Sequence, residues 1–209
     1  MNHSKYLRGV PSFLWVRVGE IGSWSAGATP SRSNPEYYGG NIPWLKTGDL
    51  NDGYIEDVPE YISEKALEKT SVRLNPVGSV LMAMYGATIG KLGILNIEAT
   101  TNQACCVCIP YGDFYNKYLF YYLMGQRTAY IKMGAGGAQP NISKEKITAS
   151  LIPISSVEEH KRIVAKVEEL MPYVDQYDKA YSEVEELNKK FPEDMQKSIF
   201  KYAIQGKAG

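Results

Sequence analysis

From Ile163 to Phe191 the residues Ile163, Val167, Leu170, Val174, Tyr177, Tyr181, Val184, Asn188 and Phe191 recur at alternating spacings of four and three. That rhythm is the a/d seam of a heptad repeat, with one polar residue, Asn188, at an a position. A seam this narrow predicts a long helix that covers a second helix rather than a broad core. The preceding stretch, residues 1–155, is rich in Gly and Tyr and has no comparable period. The chain therefore divides into a compact domain over 1–155 and a helical region over 156–209.

Charge narrows the roles of the two parts only slightly. Residues 1–155 hold 14 Lys/Arg and 12 Asp/Glu, net +2, and residues 156–209 hold 9 and 11, net −2. A domain that grips nucleic acid by charge alone carries a larger basic surplus, so a DNA role here needs a local patch or a basic partner. The 16 tyrosines outnumber five Phe and three Trp, and suit surfaces that bind as well as cores that pack. Cys105, Cys106 and Cys108 lie in the apolar run from Ala104 to Ile109 without metal-ligand spacing. They read as small hydrophobes of a buried strand in a reduced compartment. With neither an apolar leader nor a membrane-length run, a soluble cytoplasmic protein is expected.

Strand candidates are 13–18, 43–46, 79–84, 91–96 and 104–110, punctuated by Gly39-Gly40, Asn51-Asp52-Gly53 and the glycines of 134–137. Ser63 can cap a short charged helix over 64–69, and a longer helix over 116–132 turns Leu119, Leu123, Tyr130 and Ile131 inward. The expected fold is a mixed α/β domain of short strands with flanking helices, followed by a long helical coiled-coil region. Ser155 and Ser156 each precede a glutamate by three residues, so a capping box can open the tail in either register. Pro172 predicts a kink or break, and Pro192 the end of the seam, with a last short helix over 193–204 stopped by Gly206.

Catalytic chemistry finds little support. The segment from Ala83 to Leu92 resembles a phosphate loop, but three residues rather than four separate Gly86 from Gly90, and Leu92 stands where the metal-binding hydroxyl belongs. His160, beside Lys161 and Arg162, reads as a helix-surface or seam residue, and Asp52, Glu56 and Asp57 as a solvated turn. No cofactor, metal site or catalytic residue is expected. Three polar glycine-bearing segments remain: 43–50 with Lys46 and Thr47, 85–91 with Tyr85 and Lys91, and 136–143 with Gln139 and Asn141. Such side chains meet phosphates and base edges, and serve equally as turns that satisfy their own backbone.

Taken in order, these segments resemble the specificity subunit of type I restriction–modification systems. The resemblance runs through Phe13 to Ile21, Gly27-Ala28-Thr29-Pro30-Ser31, Tyr37 to Trp44, Lys46-Thr47-Gly48-Asp49-Leu50 and Tyr85 to Lys91. It continues with Thr101-Asn102-Gln103-Ala104, Gln139-Pro140-Asn141-Ile142-Ser143, Glu159 to Val164 and Lys197 to Lys207. Family members usually carry two target-recognition domains and two helical regions, so the resemblance implies a half-length form. It implies two tails packed as an antiparallel coiled coil, as a homodimer or with another half-specificity chain. Double-stranded DNA, a methyltransferase (modification) subunit and a restriction/translocase subunit are the implied partners. Candidate DNA contacts are Arg32, Lys46, Thr47, Tyr85, Lys91, Thr101, Asn102, Gln103, Gln139 and Asn141. Segments shared by domains that read different targets cannot themselves distinguish bases, so readers are expected around 32–36 and 100–103. The rival reading is a decoy half-subunit that occupies the partner without reading DNA.

Overall fold

A computed structural model describes residues 13–134 and 141–205. The chain forms two units that part between Val164 and Ala165. In chain order the elements are β1 (Leu14–Arg17), β2 (Gly22–Ala26), β3 (Tyr38–Leu45), β4 (Gly53–Ile55), β5 (Tyr61–Ile62), α1 (Glu64–Lys69), β6 (Val80–Ala83) and β7 (Leu92–Leu95). There follow β8 (Thr100–Thr101), β9 (Cys105–Pro110), α2 (Asn116–Gly134), α3 (Lys144–Ala149), β10 (Leu151–Ile154) and α4 (Val157–Ile204).

The first unit is built on a five-stranded sheet ordered β2-β9-β6-β7-β4, antiparallel except for the parallel β4–β7 pair. Its central strands read as unbroken apolar runs because both faces are covered. Val80, Met82, Cys106 and Cys108 point into one cluster with Leu119, Leu123 and Tyr130 of α2. Their neighbours Leu81, Ala83, Cys105 and Val107 point the other way, into a cluster with Leu45, Leu50 and Ile55. The three thiols are free and buried, and burial pushes the Cys106 thiol up to about 12, so they pack as the sequence suggests. A smaller sheet, β5-β3-β8, shelters Trp44, Ile62, Ala66 and Val72 with α1, which Ser63 caps by accepting from Ala66 N at 3.2 Å. A ribbon of β1 and β10 places Val16 and Ile152 against the first cluster.

Several expectations change. Strands β2, β4, β5, β8 and β10 and helix α3 add to the elements that the sequence pattern predicts. Asp52 is more than a solvated turn residue: its Oδ1 accepts from Arg127 Nη2 at 2.5 Å and from Leu92 N at 2.9 Å, at a left-handed φ of 59°. His160 is buried rather than on the surface. Its ring stacks on Tyr118 at 4.0 Å between centroids, and Nε2 accepts from Ser155 N at 3.1 Å. The helical period explains this, since His160 and Val164 lie one turn apart on the side of α4 that meets the core.

Helix α4 begins at Val157, with Ser156 Oγ accepting from Glu159 N at 3.2 Å, so the second capping register is the one used. It then runs without a break through both prolines, where Pro172 predicts a kink or break and Pro192 a separate last helix. Each proline deprives the carbonyl four residues back of its amide, but positions 168 and 188 are exposed and water can serve. In the second unit the Glu185–Lys189, Glu186–Lys190 and Glu193–Lys197 pairs, at 3.6–3.9 Å, add about 0.3–0.5 kcal/mol each. Gly206 lies outside the described residues, and among those described no helix is long and apolar enough to cross a membrane.

Candidate nucleic-acid interface

Strand direction gathers most of the candidate residues at one end of the five-stranded sheet. Ala26 at the end of β2 pairs with Cys106, and Cys105 at the start of β9 pairs with Ala83 at the end of β6. Leu92 at the start of β7 pairs with Met82, and Gly93 with Gly53 at the start of β4. The segments 27–32, 84–91 and 102–104, together with Asp52, therefore emerge side by side. Lys46 joins them because Leu45 pairs with Thr101. Asn141 joins through a bridge to Tyr85 and through Ile142 N, which donates to Met84 O at 2.8 Å.

At this end the segment 27–32 is pinned in place. Gly27 N donates to Cys105 O at 3.1 Å and Ala28 N to Thr101 O at 2.8 Å. A Cβ on Gly27 would overlap Thr101 O, Thr101 Oγ1 and Asn102 O, so the approach requires glycine. Trp44 Nε1 donates to Ala28 O at 3.1 Å, Tyr38 Oη donates to Pro30 O at 2.6 Å, and the Thr29 hydroxyl donates to Gln103 Oε1. On this support Arg32 projects. Its Nη1 pairs with Glu60 Oε1, its Nη2 donates to Glu60 Oε2 at 3.1 Å, and its Cζ lies 4.2 Å from the Tyr38 ring centroid. Lys46 Nζ reaches the same carboxylate at 2.9 Å. Arg32 first, and Lys46 after it, hold the Glu60 carboxyl at about 2 against its partial burial.

The other candidates divide by exposure. Lys91, Gln103 and Asn141 are exposed, and Tyr85 is half-buried, its phenol pushed upward by burial. Thr47 and Thr101 are buried and belong to the scaffold beneath the edge. Thr101 Oγ1 and Asn102 Oδ1 are buried without a hydrogen-bond partner among the described residues. Gln139 lies outside the described residues. Sequence reasoning missed Glu60, Tyr38 and Trp44. Glu60 lies 28 residues from Arg32 with no local pattern to mark it. Among the described residues no three His, Cys, Asp or Glu side chains gather to hold a metal.

The seam of the second unit is open. Leu170, Val174, Tyr177, Tyr181, Val184 and Phe191 are each 45–67 % exposed, and Asn188 is exposed as well. Met195 continues the spacing past Pro192, so the stripe does not stop at that proline. Val167 is half-buried, and Ile163, the first seam residue, packs instead against the core of the first unit.

A mixed α/β domain of short strands followed by a long helix is also the fold of the HsdS subunit from Thermoanaerobacter tengcongensis. The two superpose with a TM-score of 0.65 at 22 % identity, over 86 % of this chain and 42 % of that one. Residues 14–186 match the type I restriction modification DNA specificity domain, and the chain belongs to that family. It is 31 % identical over 157 residues to the EcoR124I/EcoR124II specificity subunit of Escherichia coli, covering 72 % of this chain and 39 % of that protein. It is 35 % identical over 153 residues to the MjaIX specificity subunit of Methanocaldococcus jannaschii, covering 70 % and 35 %. The chain thus spans less than half the length of these curated relatives.

Proposed function

We propose that this chain recognises DNA sequence on behalf of a type I restriction–modification system. Residues 1–155 act as the target-recognition domain, and residues 156–209 as the region for dimerisation and partner docking. One observation carries the reading: Arg32, Lys46, Tyr85, Lys91, Gln103 and Asn141 gather along a single end of the sheet. Cations there can position phosphates while amides and the guanidinium meet base edges. The relatives' description as specificity subunits of type I restriction enzymes supports the same role.

The exposed seam favours pairing with a second copy or with another half-specificity chain, as an antiparallel coiled coil. From Leu170 to Phe191 the exposed part spans about 33 Å at roughly 1.5 Å per residue, against roughly 34–36 Å between half-sites one DNA turn apart. A two-fold pair would read a bipartite inverted repeat with an unread spacer. The chain does no chemistry itself. It directs a modification subunit that methylates and a restriction subunit that translocates and cleaves, in the cytoplasm.

The test is a genome-wide map of methylated adenines in cells expressing this chain with its modification subunit. A split inverted repeat supports the homodimer, and two unrelated halves point to a different partner chain. No methylation, with the complex verified, favours a regulatory or decoy subunit. One observation favours that second reading: Glu60 offsets one of the two charges of Arg32 and Lys46, which weakens the field this edge offers to phosphates.

A further inference from the structure

Arg32 is held more firmly than contact with a phosphate requires. Glu60 takes Nη1 and Nη2 end-on, and the rings of Tyr38 and Trp44 lie 4.2 and 5.1 Å from the guanidinium carbon. Each support is itself anchored: Tyr38 by Pro30 O, Trp44 by Ala28 O, and Glu60 by Lys46. The side chain of Arg32 nonetheless remains 57 % exposed. A guanidinium carries five N–H donors, and an end-on carboxylate uses one on each Nη. Nε–H and the neighbouring Nη–H form a second parallel fork on the adjacent edge of the group. That fork matches guanine O6 and N7 in the major groove. A phosphate can accept the same fork, but the Glu60 carboxylate behind the arginine repels a full negative charge far more than it disturbs hydrogen bonds to a neutral base edge.

We propose that Arg32 reads a guanine, with its Nε–Nη fork presented to O6 and N7 by Glu60 and by the faces of Tyr38 and Trp44. This rests on the DNA-recognition reading above. Glu60 is then a positioning residue, acting through Arg32 without touching the base. Fixing the guanidinium beforehand removes rotamer freedom that binding would otherwise have to remove.

The experiment selects duplexes from a random library with the full chain in complex with the modification subunit, then titrates salt on the best duplex. Arg32→Lys keeps the charge and loses the fork. It is expected to relax one guanine position by roughly 5- to 150-fold, with the other positions and the salt slope unchanged. Glu60→Gln is expected to relax the same position without weakening binding to random duplex, and it stands in should Arg32→Lys fail to fold. An unchanged motif in both variants overturns the inference. So does an Arg32→Ala variant with an unchanged motif and a salt slope lower by about one, the mark of a phosphate contact. If the unsubstituted complex selects no motif at all, the DNA-recognition reading itself falls and takes the inference with it.

Discussion

Gly27 offers a sharp test of how the sheet's end is held together. Its φ is not left-handed, so alanine there carries no backbone penalty and its cost is steric alone. The added Cβ would overlap Thr101 O, Thr101 Oγ1 and Asn102 O. Two of those atoms are backbone and cannot rotate aside. Relief requires the 27–28 segment to part from 101–105, stretching the 3.1 and 2.8 Å hydrogen bonds of Gly27 N and Ala28 N. Overpacking of this kind costs about 1–3 kcal/mol and each weakened hydrogen bond about 1 kcal/mol, so Gly27→Ala is expected to lose about 3 kcal/mol. For a chain of this size that lowers Tm by about 6–12 °C in calorimetry. Gly48→Ala is the control: a Cβ there meets nothing within 4 Å, and Tm should stay within about 2 °C of the parent. Should Gly27→Ala melt with Gly48→Ala, the close approach is not a structural constraint and the reasoning fails.

Three further outcomes follow from the same geometry. Replacing exposed Lys91 with Ala should weaken DNA binding uniformly across sequences and lower the slope of log K against log salt by about one, measured by fluorescence anisotropy; an unchanged slope removes it from the phosphate contacts. Val174→Asp with Tyr181→Asp should convert a dimer to a monomer in sedimentation velocity while circular dichroism stays helical, because both side chains lie on the exposed seam; a persisting dimer rules the seam out as the interface. Burial lowers the pKa of His160 although Glu159 opposes it, so the unfolded chain takes up the proton first. Its contribution to stability is complete above about pH 6.5 and shrinks as pH falls. The difference in Tm between the parent and His160→Phe should therefore change between pH 7.5 and 5.5, and a constant difference would show that the ring does not titrate there.

The central strands were legible in the sequence because both their faces are covered, leaving the continuous apolar runs around Leu81 and Val107. β8 was not. It is two threonines held by the parallel pairing with β3 and by Thr100 Oγ1 donating to Pro43 O at 2.9 Å, which no local pattern encodes. α3 escaped because Ser143 is followed three residues later by Lys146, not by the glutamate of a capping box. His160 was misplaced because its charged neighbours outweighed its spacing of four from Val164. The tail was plain from its period, and the prolines misled because exposed carbonyls tolerate the loss of one donor. At the candidate interface, glycine and polar segments marked where to look. Which of them converge depends on strand order, and Glu60 reaches Arg32 only through tertiary pairing.

The sheet's end also bears on how such a chain can diversify. The segments around Arg32, Lys46, Lys91 and Gln103 come from separate stretches of sequence, and each is anchored in strands whose core residues are inaccessible to solvent. Arg32 and Lys46 share Glu60, and Thr29 holds Gln103, so those segments change together, whereas Lys91 sits on a loop outside that network. The open stripe on α4 is encoded elsewhere and answers to different constraints. On the proposed function, the determinants of target and of pairing are thus free to evolve separately.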